Sequence, residues 1–374
     1  MKNLWIALIV VAVVIVGYFV LGQKPKEVTG EPIKIGVAIP LTGIAAIAGE
    51  NEKSGIELAA GEINKSGGIA GRPLALIIED DHTDATQSVS AVEKLISVDK
   101  ATALIGGTWD FLANAVEPVV DKDGVVLVTP STLPDTLEKT SPYLFVTHSP
   151  VAINERAITA FLKKTPGSKV AIMSVNNLWG QAHLNTFKKS IAASGKTLVK
   201  EVIVPQFDNN DLQTDLATIK AAKADSIITA LNFGDSVAFL KKKAALGIDA
   251  KVLGDYHYID GYQQGNIPKE LLTGVTVFVF SDPTQAFIDT YVGTYRRQPG
   301  TYADTAYDAV YVLKQAIENS GGKTDSASIV AGLHKINDYN GASGHIDFSQ
   351  NNYPANKQPL LKIFGGSGFV PVNL

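Results

Sequence analysis

Cysteine is absent from all 374 residues, which excludes disulfides, thiolate metal sites, a cysteine nucleophile and a lipidated N-terminal cysteine. Charge is sparse too, at 19% of residues. The 33 basic and 37 acidic side chains give a net charge of −4, and the basic ones form no long run. No phosphate-tracking surface is therefore expected, and nucleic acid is excluded as a partner. Catalytic signatures are missing in the same way. There is no G-x-S-x-G and no H-E-x-x-H, and His82, His148, His183, His257, His334 and His345 never fall four residues apart. Each histidine therefore reads as a surface or loop residue rather than a metal ligand. Gly322-Lys323-Thr324 looks like the end of a phosphate loop, but Ile317 stands where its first glycine belongs and a helical pattern precedes it. The run Gly67-Gly68-Ile69-Ala70-Gly71 closes a helical pattern, whereas a dinucleotide loop opens one. Neither an enzyme, a metal nor a cofactor finds a foothold in this sequence.

What is present begins with an apolar end. Residues 4–21 carry no charge, and at about 1.5 Å per residue they span roughly 27 Å, close to the thickness of a bilayer's hydrocarbon core. Residues 1–22 are thus expected to be a membrane anchor or signal segment. The lack of a small-x-small pattern before Gln23 favours a retained helix. The polar stretch 23–31, with its Pro and Gly, reads as a linker.

Residues 104–134 organise the rest. An apolar run at 103–105 stops at Gly106-Gly107, the loop Thr108-Trp109-Asp110 follows, and Leu112, Val116, Val119 and Val120 then recur at helical spacing. A second strand, at 125–128, ends in Thr129-Pro130-Ser131-Thr132. Two neighbouring strands would therefore deliver hydroxyls, an aspartate and a tryptophan to their carboxyl ends, where open parallel sheets bind ligands. The same alternation runs along the chain, with strands expected near 33–39, 74–78, 143–146, 170–174, 198–204, 226–231, 251–253 and 275–280. Helices are expected near 45–64, 85–98, 152–164, 181–193, 212–222, 236–246, 285–297 and 305–319. This rhythm predicts an α/β protein of two doubly wound, Rossmann-like lobes.

The residues that carry this pattern also resemble a known family. Ile35-Gly36-Val37-Ala38-Ile39-Pro40-Leu41-Thr42-Gly43, the later Glu57-Leu58-Ala59, Glu62-Ile63-Asn64 and Gly67-Gly68-Ile69, and Asp80-Asp81-His82-Thr83-Asp84 are similar to the opening of type I periplasmic solute-binding proteins of the branched-chain amino acid (Leu/Ile/Val) group. The segment Gly341-Ala342-Ser343-Gly344-His345-Ile346-Asp347-Phe348 is similar to that family's ending. The resemblance implies a venus-flytrap of two lobes joined by three crossovers, with lobe 1 formed by 32–147 plus 274–337 and lobe 2 by 148–273 plus 338–374. It further implies an extracytoplasmic protein that binds a small solute and hands it to ABC permease subunits; the apolar N-terminal run would hold it at the membrane, and it is expected to be a monomer. A ligand-sensing domain of a membrane-tethered receptor or regulator is the alternative that the same fold allows.

Carried over by position, the resemblance also implies a ligand site. The family's α-carboxylate-binding serine falls on Asp110, whose charge would oppose a ligand carboxylate; Asp110 also reads as the N-cap of a helix that starts at Phe111. Trp109 beside it reads as a cleft wall or a core aromatic, and the family's hydroxyl partner maps to Ser131 or Thr132. In the second lobe the implied contacts are Trp179, Phe233, and Asp255 or the adjacent Tyr256, the acid being the family's partner for a ligand amine. Aromatic faces together with Asp110 and Asp255 would suit a cationic or amphipathic solute, while the resemblance itself points to amino acids.

Overall fold

The computed structural model describes residues 30–131, 141–205, 211–280 and 282–372. The expected membrane segment at 4–21 and the candidate Thr132 lie outside these residues. Among the described residues no helix is long and apolar enough to cross a membrane.

The first half of the chain alternates as expected: β1 (Ile33–Ile39), α1 (Ala46–Lys65), β2 (Leu74–Asp80), α2 (Ala85–Ser97), β3 (Ala103–Gly106), α3 (Asp110–Asp123), β4 (Leu127–Thr129) and β5 (Leu144–Val146). The five strands form one parallel sheet in the order β2-β1-β3-β4-β5. Strands β1 and β3 are apolar runs buried on both faces, the signature of a central parallel strand covered by helices on either side. The order reverses at β1 and β3, so the loops after them flank the switch point where such sheets open a crevice. At the end of β3 the backbone passes so close to β1 that a Cβ on Gly106 would lie 2.1 Å from the Ala38 carbonyl oxygen. Only glycine fits there.

The second lobe runs through α4 (Asn154–Lys164), β6 (Lys169–Val175), α5 (Leu178–Ser194), β7 (Thr197–Val204), α6 (Gln213–Ala221), β8 (Ser226–Ala230), α7 (Phe233–Ala245), β9 (Lys251–Gly254), α8 (His257–Gln263) and β10 (Val275–Val279). The chain then continues with α9 (Gln285–Tyr295), α10 (Ala303–Asn319), α11 (Ser326–Leu333), β11 (Tyr339–Gly341), β12 (Gly344–Ile346), β13 (Leu360–Phe364) and β14 (Phe369–Pro371). The second sheet has the order β14-β13-β10-β9-β8-β6-β7; its last five strands are parallel, and the β13–β14 hairpin adds to one edge antiparallel.

Two of the expected lobe boundaries need correction. Val275–Val279, assigned to the first lobe from the sequence, pairs in parallel with β9 and antiparallel with β13, so it is a strand of the second sheet. Its five residues are all buried, and an apolar run of this kind suits either core. The chain returns to the first lobe only after Phe280, where α10 packs on α1 and contributes Ala306, Ala309, Val310 and Leu313 to the first core. Ile346 and Phe348 belong to that same core and Tyr353 to the core on the sheet's other face, so the last passage follows Tyr353 and not Asn337. Helices α5 and α7 also begin three residues earlier than their apolar spacing suggested, at Leu178 and Phe233. For α5 the cause is Asn177, whose side chain accepts the Gly180 N–H at 2.7 Å and so caps the extra turn.

The first and third passages between the lobes meet at one buried cluster. Lys357, in the third passage, donates to the Thr147 carbonyl at 2.8 Å and to Ser343 Oγ at 2.6 Å. Burial pulls its pKa down to about 8, against the pull of Asp308 and Asp304. Asp308 in turn accepts the N–H groups of Ala342 and Ser343. The hinge is thus tied by charges that face one another.

Candidate functional site

The space between the lobes is built from strand ends. Trp109, Asp110 and Phe111 follow β3, Asn177 and Trp179 follow β6, Asn232 and Phe233 follow β8, and Tyr256 and His257 follow β9; Tyr302, just before α10, completes the wall. Together they line about 470 Å³ of empty space, including its open mouth. Five of the sequence-derived candidates meet here: Trp109, Asp110, Trp179, Phe233 and Tyr256. Ser131 and Asp255 do not line the space, since both are buried behind it.

On the first-lobe side the aromatic residues are held in unusual backbone. Trp109 has φ 66° and ψ 160°, a region that only glycine adopts readily and that costs a bulky residue about 1–3 kcal/mol. Tyr302 is left-handed, with φ 70°. The support for Trp109 comes from below. Its N–H donates to Ser131 Oγ at 3.2 Å, and the hydroxyls of Thr108 and Ser131 reach the two carboxyl oxygens of Glu52, at 2.6 and 3.5 Å. Glu52 is fully buried, which pushes its pKa up to about 8, with Asp81 adding to the effect. Ser131 therefore positions the loop that carries Trp109.

Asp110 is the first residue of α3 and also faces the cleft. Its Oδ1 accepts the Phe111 N–H at 2.8 Å, while its Oδ2 accepts the Trp179 N–H of the opposite lobe at 2.7 Å. The carboxylate thus sits at two helix N-termini at once, each favourable for an anion. Burial raises its pKa, and the backbone donors offset only part of that rise. The helix expected to start at Phe111 with Asp110 as its cap starts instead at Asp110 itself, with Trp109 as its cap residue, so the Asp110 side chain bonds the next N–H and otherwise reaches across the cleft.

The second lobe supplies a different arrangement. Asp255 Oδ1 accepts the backbone N–H of His257 at 2.9 Å and lies 2.8 Å from its Nδ1. The expected partner for a ligand amine is therefore occupied by an imidazole, because α8 turns His257 back over the strand end. Trp179 presents an edge to that imidazole at 5.8 Å and packs on His183 at 4.4 Å. Across the cleft the Tyr256 and Tyr302 hydroxyls meet at 2.7 Å, and Thr301 Oγ1 donates to Asp260.

Sequence reasoning missed Phe111, Asn177, Asn232, His257 and Tyr302 as lining residues. The asparagines carried a signal, being polar residues at the ends of apolar strands. His257 carried one too, two residues after an aspartate. Tyr302 had none, and His148 and His183, expected at the surface or in loops, are buried. Among the described residues no group of three or more His, Asp or Glu side chains could hold a metal ion.

With the fold and cleft in hand, similarity to known proteins extends over almost all of the described chain. The profile of a family described as periplasmic binding protein matches residues 32–361. Leu/Ile/Val-binding protein homolog 3 from Brucella melitensis is 28% identical, covering 85% of this chain and 87% of its own. Leu/Ile/Val-binding protein BraC3 from Rhizobium johnstonii is 27% identical, over 85% and 88%. Two solved structures share the fold at 23% identity. One is the branched-chain amino acid transporter substrate binding protein LivJ from Streptococcus pneumoniae in complex with isoleucine, with a TM-score of 0.81 over 91% of this chain and 100% of that one. The other is an ABC transporter solute binding protein from R. palustris in complex with benzoate, with a TM-score of 0.82 over 92% and 96%.

Proposed function

This chain belongs to the periplasmic binding protein family, and we propose that it captures one small organic solute between its lobes outside the cytoplasm and delivers it to an ABC permease. In this reading residues 4–21 tether it to the membrane. The observation that carries the proposal is the pair of direct contacts across the cleft, Asp110 to the Trp179 N–H and Tyr256 to Tyr302, set around an aromatic-walled space at the strand ends of both sheets. Contacts that form only when the lobes meet make closure and binding one equilibrium, so a solute touching both walls stabilises the closed form by its difference in affinity for the two states. The relatives named for leucine, isoleucine and valine, and the structural neighbours holding isoleucine or benzoate, support a solute that bears a carboxylate.

The test is a thermal-shift panel of amino acids, organic acids, amines and sugars on the full chain. One chemical class is expected to raise the melting temperature in a saturable way, because a ligand that binds only the folded state stabilises it by mass action. No shift with any class overturns the solute-binding reading.

A further inference from the structure

We propose that the solute is a carboxylate carried on a flat apolar body with no ammonium group beside it, and that His257 is the residue that selects it. The inference rests on the solute-binding reading and names the ligand class for that same cleft.

The argument begins with what each charged group at the cleft is already doing. Asp110 has both carboxyl oxygens engaged by backbone N–H groups, one on each lobe. Asp255 is 1% exposed and gives Oδ1 to His257, while its Oδ2 has no partner among the described residues. Asp260 accepts Thr301 Oγ1 at both oxygens, 2.7 and 2.6 Å away, and does not line this space. Asp110, which lines this space, is thus already shared between two backbone donors, so an ammonium would have to compete for it, and closing over an amino acid would pair its amine poorly.

His257 offers the opposite. With Nδ1 turned to Asp255, the ring presents Nε2 as its second nitrogen; no hydrogen bond engages it among the described residues, and the residue lines the cavity. A buried carboxylate with one oxygen unsatisfied needs a counter-charge, and the imidazolium is the one within reach. Four charged or titratable groups bear on this ring, one of them Tyr256, whose ring packs on it at 4.4 Å and stays neutral because burial raises its pKa. Burial works to lower its pKa, but Asp255 and then Asp260 raise it, with a net upward shift. His183 on α5 is held neutral by burial, its pKa lowered to about 4. The protonated ring then aims one charge-assisted donor, Nε2–H, at the solute, which is what a carboxylate accepts. The remaining walls hold four rings, Trp109 and Phe111 from one lobe and Trp179 and Phe233 from the other, together with Asn177, Asn232 and the tyrosine pair. Rings on opposing lobes suit a planar apolar body.

The experiment is calorimetric titration of the full chain at neutral pH with benzoate, its neutral isostere benzamide, leucine and choline. Benzoate is expected to bind at one site, benzamide at least tenfold more weakly, and leucine and choline without measurable heat. Benzoate affinity should fall as pH rises through the titration of His257, and His257→Gln should flatten that profile and erase the preference over benzamide. Should the variant fail to fold, the benzoate–benzamide comparison on the unaltered protein still decides. Leucine or choline binding more tightly than benzoate, equal binding of benzamide, or no binding by any of the four overturns the proposed class. A thermal-shift panel in which some other class still stabilises the protein would leave the solute-binding reading standing, and a blank panel would remove both.

Discussion

The two lobes each bring a carboxylate to the edge of the cleft and use it differently. In the first lobe Asp110 reaches across and accepts the Trp179 N–H, so its charge serves the contact between lobes. In the second, Asp255 stays within its own lobe, buried beneath His257, and its charge serves the side chain that faces the solute. The backbone differs in the same sense. The first lobe holds Trp109 and Tyr302 in strained or left-handed conformations over a buried Glu52, whereas the second presents its aromatic residues from ordinary helix starts at α5 and α7. Two sheets with the same loop positions thus divide the work, one latching and one selecting.

The sharpest way to break this comparison is to remove each carboxylate in turn. Asp255→Asn should cost the larger amount of stability, roughly 3 kcal/mol in chemical denaturation, since it strips a buried charge pair of one member. Asp110→Ala should leave each lobe intact but weaken their contact by about 1.5–3 kcal/mol, the worth of a hydrogen bond to a charged group. Small-angle scattering should then report a larger radius of gyration for the ligand-free variant. Equal losses of stability with no change in shape would erase the proposed division.

A smaller effect tests the support under Trp109. Glu52 has its pKa raised from 4.5 to about 8 by burial, so between those values the folded protein holds a proton that the unfolded chain has released. Its contribution to stability is therefore complete below about pH 4.5 and is lost as pH climbs toward 8. Glu52→Gln stays neutral throughout and should flatten the decline of stability with pH by up to about 1.4 kcal/mol per pH unit, followed by denaturant unfolding at several pH values. An unchanged slope would mean that Glu52 is ionised in the fold. The smallest expected change is in the stability of Trp109→Gly. Relief of about 1–3 kcal/mol of backbone strain should offset most of the lost ring packing, so the melting temperature should barely move while benzoate affinity falls. A loss as large as an ordinary core tryptophan's would show that φ 66° costs this residue nothing.

Much of this was legible before any coordinates. The alternation of apolar runs and helical spacing gave two α/β lobes, and the rule that ligands meet parallel strands at their carboxyl ends singled out Trp109 and Asp110, whereas Trp179, Phe233 and Tyr256 came only from the family resemblance. What escaped the sequence was pairing and direction. The run at Val275–Val279 is equally apolar whichever sheet receives it, and only its hydrogen bonds to β9 and β13 decide the matter. His257 looked like a loop residue because the turn that folds it onto Asp255 depends on the short helix α8, which composition did not announce. Tyr302 meets the cleft just before α10 through left-handed backbone that no residue type there signals.

The central claim is that one solute touches both lobes and holds them together. Because the chain has no cysteine, Lys122→Cys on α3 and Lys189→Cys on α5, both exposed positions on opposite lobes, can be spin-labelled cleanly and their separation measured by pulsed electron spin resonance. The ligand-free protein should give a broad distance distribution that collapses to a single shorter distance when benzoate saturates it. Saturable benzoate binding that leaves the distribution unchanged would contradict the claim, because the solute would then sit on one lobe alone.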